Sequence, residues 1–100
     1  MTDKSALEEI IAGLPEVRVR PMMGEYVLYC KEKVVGDVCD NRLYLKITPA
    51  SRNYLDGAPE VPPYVGAKPY YLVENTADKA FLAEVMSAIA DALPAPRKKK

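Results

Sequence analysis

The 100-residue sequence predicts an α+β domain of two layers, a mainly antiparallel sheet with helices on one face, in the order α-β-β-β-α-β-α. Three observations lead there. Apolar residues recur at helical spacing near both ends of the chain, short segments of period-2 alternation lie between them, and Gly, Pro, Asp and Asn mark the junctions. The composition, 49% hydrophobic and 28% charged, is that of one globular domain with one core. So small a domain often gains stability by dimerising.

The first helix is predicted from Asp3 to Ala12, with Leu7, Ile10, Ile11 and Leu14 on one stripe and Gly13 and Pro15 as stop signals. Ser5 to Glu8 fits a capping box, and Thr2 and Asp3 are equally suited to cap. Three strands follow, Glu25 to Cys30, Val34 to Cys39 and Leu43 to Thr48. They are separated by Lys31-Glu32-Lys33 and by Asp40-Asn41, a pair that tolerates the positive φ of a type I′ turn. Thr48 and Pro49 open a short helix to Leu55, and residues 56–69, rich in proline and glycine, form an ordered crossover loop that carries Tyr64 into a contact. Tyr70 to Glu74 is the fourth strand. Asn75 or Thr76 caps a last helix to Leu93, with Phe81, Leu82, Val85, Met86, Ile89 and Leu93 on one face.

Burial sets the expected register. With Cys30 opposite Val34 and Cys39 opposite Arg42, one face collects Tyr26, Leu28, Cys30, Val34, Gly36, Val38, Leu43, Leu45 and Ile47 as a core. The other face holds Val27, Tyr29, Val35, Asp37, Cys39, Arg42, Tyr44 and Lys46. The two cysteines then sit roughly 17 Å apart at about 3.3 Å per residue, too far for a disulfide, whose Cα atoms lie within about 7 Å. Two separated cysteines in a chain without histidine do not make a zinc site. Cys30 is expected in the core and Cys39 as a partly exposed free thiol.

The formal charge is zero but uneven. Arg97 to Lys100 supply four of the 14 basic side chains, so residues 1–96 carry 10 basic against 14 acidic groups, a net of −4. That balance disfavours nucleic-acid binding by the folded part, leaving only weak, salt-sensitive binding through the basic tail. No apolar run approaches the roughly 20 residues of a membrane helix and the amino terminus has no signal core, so a cytoplasmic protein without membrane contact is expected.

No G-x-S-x-G, P-loop or Rossmann glycine pattern is present, and no histidine, so no catalytic constellation, cofactor or metal is expected. Paired Glu8 and Glu9 fall on a solvated helix face, and Lys68 is a loop lysine. Met22-Met23-Gly24 reads as core filling at a strand entrance, with Gly24 allowing a bulge, ahead of a ligand site. Asp37, Arg42 and Lys46 form a candidate polar patch, either an anion or carboxylate site or cross-strand charge pairing. Val27, Tyr29, Val35 and Tyr44 form a candidate partner or dimer surface. Alternatively a helix or the proline-rich loop covers them.

Arg20-Pro-Met-Met-Gly-Glu-Tyr26, Gly36, Cys39-Asp-Asn-Arg-Leu-Tyr-Leu-Lys46 and Tyr64-Val-Gly-Ala-Lys-Pro69, in this order and spacing, together resemble the amino-terminal domain of the TfoX/Sxy family over nearly the whole chain. The resemblance implies a small α+β domain related in shape to secretion chaperones, dimeric, in a family named for regulating competence genes. It supplies no catalytic residues. The name-giving regulators continue into a helical carboxy-terminal domain. The expectation here is a stand-alone version lacking it, with residues 1–93 as the domain and 94–100 as a disordered Pro/Lys tail. The expected function is a non-catalytic regulatory or adaptor domain, linked to transcriptional or competence regulation through macromolecular contacts, with a homodimer and an unidentified protein as partners. The alternative is a small-ligand-binding or enzymatic domain using loop 56–69.

Overall fold

The computed structural model describes residues 2–14 and 16–93. Among them the chain runs α1 (Lys4–Ile11), β1 (Val17–Met22), β2 (Glu25–Cys30), β3 (Lys33–Cys39), β4 (Arg42–Leu45), α2 (Pro49–Leu55), β5 (Glu60–Val61), β6 (Tyr70–Val73) and α3 (Lys79–Ala92). The strands form one antiparallel sheet in the order β1-β2-β3-β4-β6-β5. The α+β class and the expected order hold, and β1 and β5 extend the sheet at its two edges. The expected tail, residues 94–100, lies outside the described residues, as does Pro15.

The first four strands are joined by three two-residue turns, Met23-Gly24, Lys31-Glu32 and Asp40-Asn41. All six residues have positive φ, from 52° at Met23 and Asp40 to 86° at Gly24, as a type I′ hairpin requires. Met23 and Gly24 are therefore a turn and not core filling: Met23 is fully exposed and Met22 is 41% exposed. The middle turn is one residue shorter than the sequence predicts, so Cys30 pairs with Lys33 and Tyr29 with Val34. A bulge beyond Tyr29 absorbs the offset and restores Leu28 opposite Gly36, the predicted register for the rest of the hairpin. The bulge turns Val35 into the core and leaves Val34 half-buried, the reverse of the expected assignment.

The core lies between the sheet and the three described helices. Leu28, Cys30, Val35, Val38, Leu43, Leu45, Tyr71 and Val73 from the strands meet Leu7, Ile10, Leu55, Leu82, Val85, Met86 and Ile89 from the helices. Gly36 is needed at its centre, because a Cβ there would stand 2.1 Å from the Tyr44 carbonyl oxygen. Asp3 is the N-cap residue of α1 without a side-chain bond, while Thr2 and Asp3 instead tie the segment to the hairpins. The Thr2 hydroxyl donates to Glu25 Oε1 at 2.5 Å and accepts from the Asn41 amide at 3.2 Å, and the Asp3 amide donates to Asn41 Oδ1 at 2.8 Å. Thr48 and Ser51 make a reciprocal capping box at α2 with Pro49 at its first position. α3 begins later than predicted, with Asp78 Oδ1 accepting from the Phe81 amide, while Asn75 bonds the Ala77 amide in the preceding turn.

Candidate functional site

The second face of the sheet carries none of the described helices in its apolar cluster. One row crosses it: Arg20 on β1 pairs with Val27 on β2, Val27 with Asp37 on β3, Asp37 with Tyr44 on β4, and Tyr44 with Leu72 on β6. The row divides into a closed part and an open part. On the β4–β6 side Cys39, Tyr44 and Leu72 are buried, with Val61 of β5 and Tyr70 packed against them. The proline-rich segment thus covers Tyr44, one of the two readings the sequence left open. On the β1–β3 side Val27 and Tyr29 are half-buried, and the Arg20 guanidinium lies 6.0 Å from the centre of the Tyr29 ring. A cleft of about 390 Å³ beside Tyr29 is lined by Glu16, Arg18, Lys31 and Glu32.

Three of the four expected contact residues therefore share the face, and Val35 does not reach it. The expected polar patch also divides. Asp37 is 7% exposed and feels the charge of Lys46, whereas Arg42 is exposed opposite Cys39, beside a separate cleft that Ala6 and Glu9 of α1 help to line. Sequence reasoning missed Arg18 and Arg20, although Val-Arg-Val-Arg alternates with period 2.

Both edges of the sheet are poor templates for another strand. On β1 the Val17 amide is spent on the Leu14 carbonyl at 3.1 Å, Pro21 has no amide hydrogen, and Arg18 and Arg20 are exposed. β5 is two residues long and is followed by Pro62 and Pro63. Beyond it the Ala67 amide closes a turn on the Tyr64 carbonyl at 3.1 Å, leaving Tyr64 half-exposed and Val65 fully exposed at the loop tip.

The family model of the TfoX N-terminal domain matches residues 9–92, from the middle of α1 to the end of α3. The chain belongs to the TfoX N-terminal domain family. It is also similar to a protein of Spirochaeta aurantia named as an uncharacterized 12.7 kDa protein in the trpE 5′ region, with 44% identity over 85 residues, covering 84% of this chain and 74% of the relative. The matched span of this TfoX N-terminal domain includes all six described strands and both parts of the outer face.

The two cysteines of the domain lie on opposite faces of the sheet, Cys30 in the helix-covered core and Cys39 in the outer cluster, and both are free. Cys39 is 2% exposed, which corrects the expectation of a partly exposed thiol. Tyr70 and Val61 close over the cluster it belongs to, and a period-2 reading of β3 alone carries no sign of that cover. Burial first, then the charges of Asp37 and Glu25, push its thiol up to about 11, so it is not a nucleophile at neutral pH. Among the described residues no group of three His, Cys, Asp or Glu side chains is placed to hold a metal ion, and no helix is long and apolar enough to cross a membrane.

Proposed function

We propose that the protein is a non-catalytic regulatory or adaptor domain that acts in the cytoplasm by macromolecular contact, as a homodimer formed through the open part of its outer sheet face. The observation that carries this reading is the pair Val27 and Tyr29, apolar and half-exposed at the centre of a three-strand surface that none of the described helices covers. A second copy is the occupant its charges fit. Arg18 and Arg20 stand on one side of Tyr29 and Glu16 and Glu32 near it, so a twofold axis places cations of one copy against carboxylates of the other. Membership of the TfoX N-terminal family supports a role in competence-gene regulation.

Transcript profiles in the protein's own cells test the reading. A strain carrying Tyr29→Glu should change the same competence-related transcripts as a strain lacking the protein. A profile indistinguishable from wild type, with the variant present at its normal level, contradicts it.

A further inference from the structure

Where the pairing of β4 with β6 stops, the end of the sheet opens into a cleft of about 290 Å³. Leu43 and Val73 are the last paired residues there, so Arg42 and Glu74, the next residue on each strand, stand at two sides of the cleft. α1 bounds a third side with Glu9 and Ile10, and the Asp40-Asn41 turn contributes Asn41. The amino-terminal segment fixes Asn41: its Oδ1 accepts from the Asp3 amide at 2.8 Å, and its own backbone amide donates to the Thr2 hydroxyl at 3.2 Å.

The charges around the cleft are of both signs, and none is spent. Among the described residues the side chains of Arg42, Glu9 and Glu74 form no ion pair and no hydrogen bond. Arg42 and Glu74 hold the register position at which opposite charges on antiparallel strands ordinarily pair, yet they do not reach ion-pair distance. The Asn41 side-chain nitrogen is also unbonded among the described residues. Between these polar groups the wall is apolar, made by Ile10, Leu43 and Val73. A lone anion drawn to Arg42 would meet two carboxylates, and a lone cation drawn to the carboxylates would meet Arg42. A small zwitterion satisfies both signs.

We infer that this cleft binds a free α-amino acid with an apolar side chain. The ligand's carboxylate takes the forked donors of Arg42 with the Asn41 amide, its ammonium lies against Glu74 and Glu9, and its side chain rests on Ile10, Leu43 and Val73. The volume limits the ligand: pockets for drug-sized molecules run from about 300 to 1,000 Å³, and this cleft stands at the lower bound. The end of a peptide carries only one of the two charges. The inference goes beyond the contact reading, and none of its residues lines the cleft beside Tyr29.

The test is an amide-resolved NMR titration of the full chain with four probes: L-leucine, glycine, N-acetyl-leucine and leucinamide. Leucine should give saturable shifts at Asn41, Arg42, Leu43, Glu74 and Thr76. Glycine lacks the side chain, N-acetyl-leucine the ammonium and leucinamide the carboxylate, and each should bind at least tenfold more weakly. Arg42→Gln and Glu74→Gln change exposed residues outside the core, and each should weaken leucine binding at least tenfold with an unchanged far-UV circular dichroism spectrum. Absence of saturable shifts with leucine, equal binding of leucinamide, or equal binding by wild type and Arg42→Gln overturns the inference. Tyr29→Glu should bind leucine as wild type does, which separates this outcome from that of the dimer.

Discussion

At Asp37 the electrostatics have a sign that stability measurements can read. Burial lifts its carboxyl above the ordinary value of 3.8, and the charge of Lys46 only partly opposes the shift. Between 3.8 and the raised value the folded protein holds a proton that the unfolded chain releases, so stability falls as pH rises through that window and the penalty is complete above it. Asp37→Asn should therefore unfold at a higher urea concentration than wild type at pH 7, with the difference shrinking toward pH 4. A variant clearly less stable than wild type at pH 7 would contradict this. Glu25 has the opposite sign. Burial alone would raise its carboxyl, but the favourable interactions of its charged form, among them hydrogen bonds from the Thr2 hydroxyl and the Asp40 amide, outweigh it and hold the group below 4.5. The stability Glu25 contributes is present above 4.5 and lost as pH falls through its lowered value.

Helix ends are completed by lysines from distant elements. Neither α1 nor α3 has a basic residue in its last turn, so each leaves carbonyl groups without a partner. Lys33, at the start of β3, donates to the Ala90 and Leu93 carbonyls at 2.8 and 2.9 Å, and Lys79 donates to the Glu9 and Ile10 carbonyls at 2.7 and 2.8 Å. Lys31 joins the first contact by binding Ser87 Oγ and Asp91 Oδ1. Lys33→Met keeps the aliphatic stem and removes the ammonium, and should lower unfolding free energy by about 1–2 kcal/mol in urea titration. A change within a few tenths of a kcal/mol would show that the contact adds nothing. These caps join residues 57 to 70 positions apart, so local sequence carried no sign of them. The helices, the three central strands and the Asp40-Asn41 turn were legible because each rests on periodicity or turn chemistry within a few residues. The Lys31-Glu32 turn was not, since neither residue type favours positive φ, and the turn length decided whether Val34 or Val35 enters the core. Of the candidate site, Val27, Tyr29, Asp37 and Tyr44 were placed on the right face, but the cover over Tyr44 comes from β5 and Tyr70, which sequence spacing does not locate.

Among the described residues, helices occupy one side of the six-stranded sheet, and Val61 of the short strand β5 packs with Tyr70 over part of the other. The surface that the described residues leave open is the β1–β3 part around Tyr29, in a sheet whose edges Arg18, Arg20, Pro21 and the brevity of β5 make unsuitable for strand pairing. Association is then expected face to face. Apolar area buried there contributes about 25 cal/mol per Å², against an association cost of several kcal/mol. Tyr29→Glu is the clean perturbation, because Tyr29 is half-exposed, whereas Tyr44→Glu would bury a charge beneath Tyr70 and unfold the outer cluster. Equilibrium sedimentation of the two proteins tests the central claim most directly. Wild type should approach twice the 11.1 kDa chain mass as concentration rises, and Tyr29→Glu should remain at 11.1 kDa with an unchanged far-UV circular dichroism spectrum. A wild-type protein that stays monomeric at every concentration, or a Tyr29→Glu variant that dimerises as wild type does, would contradict it.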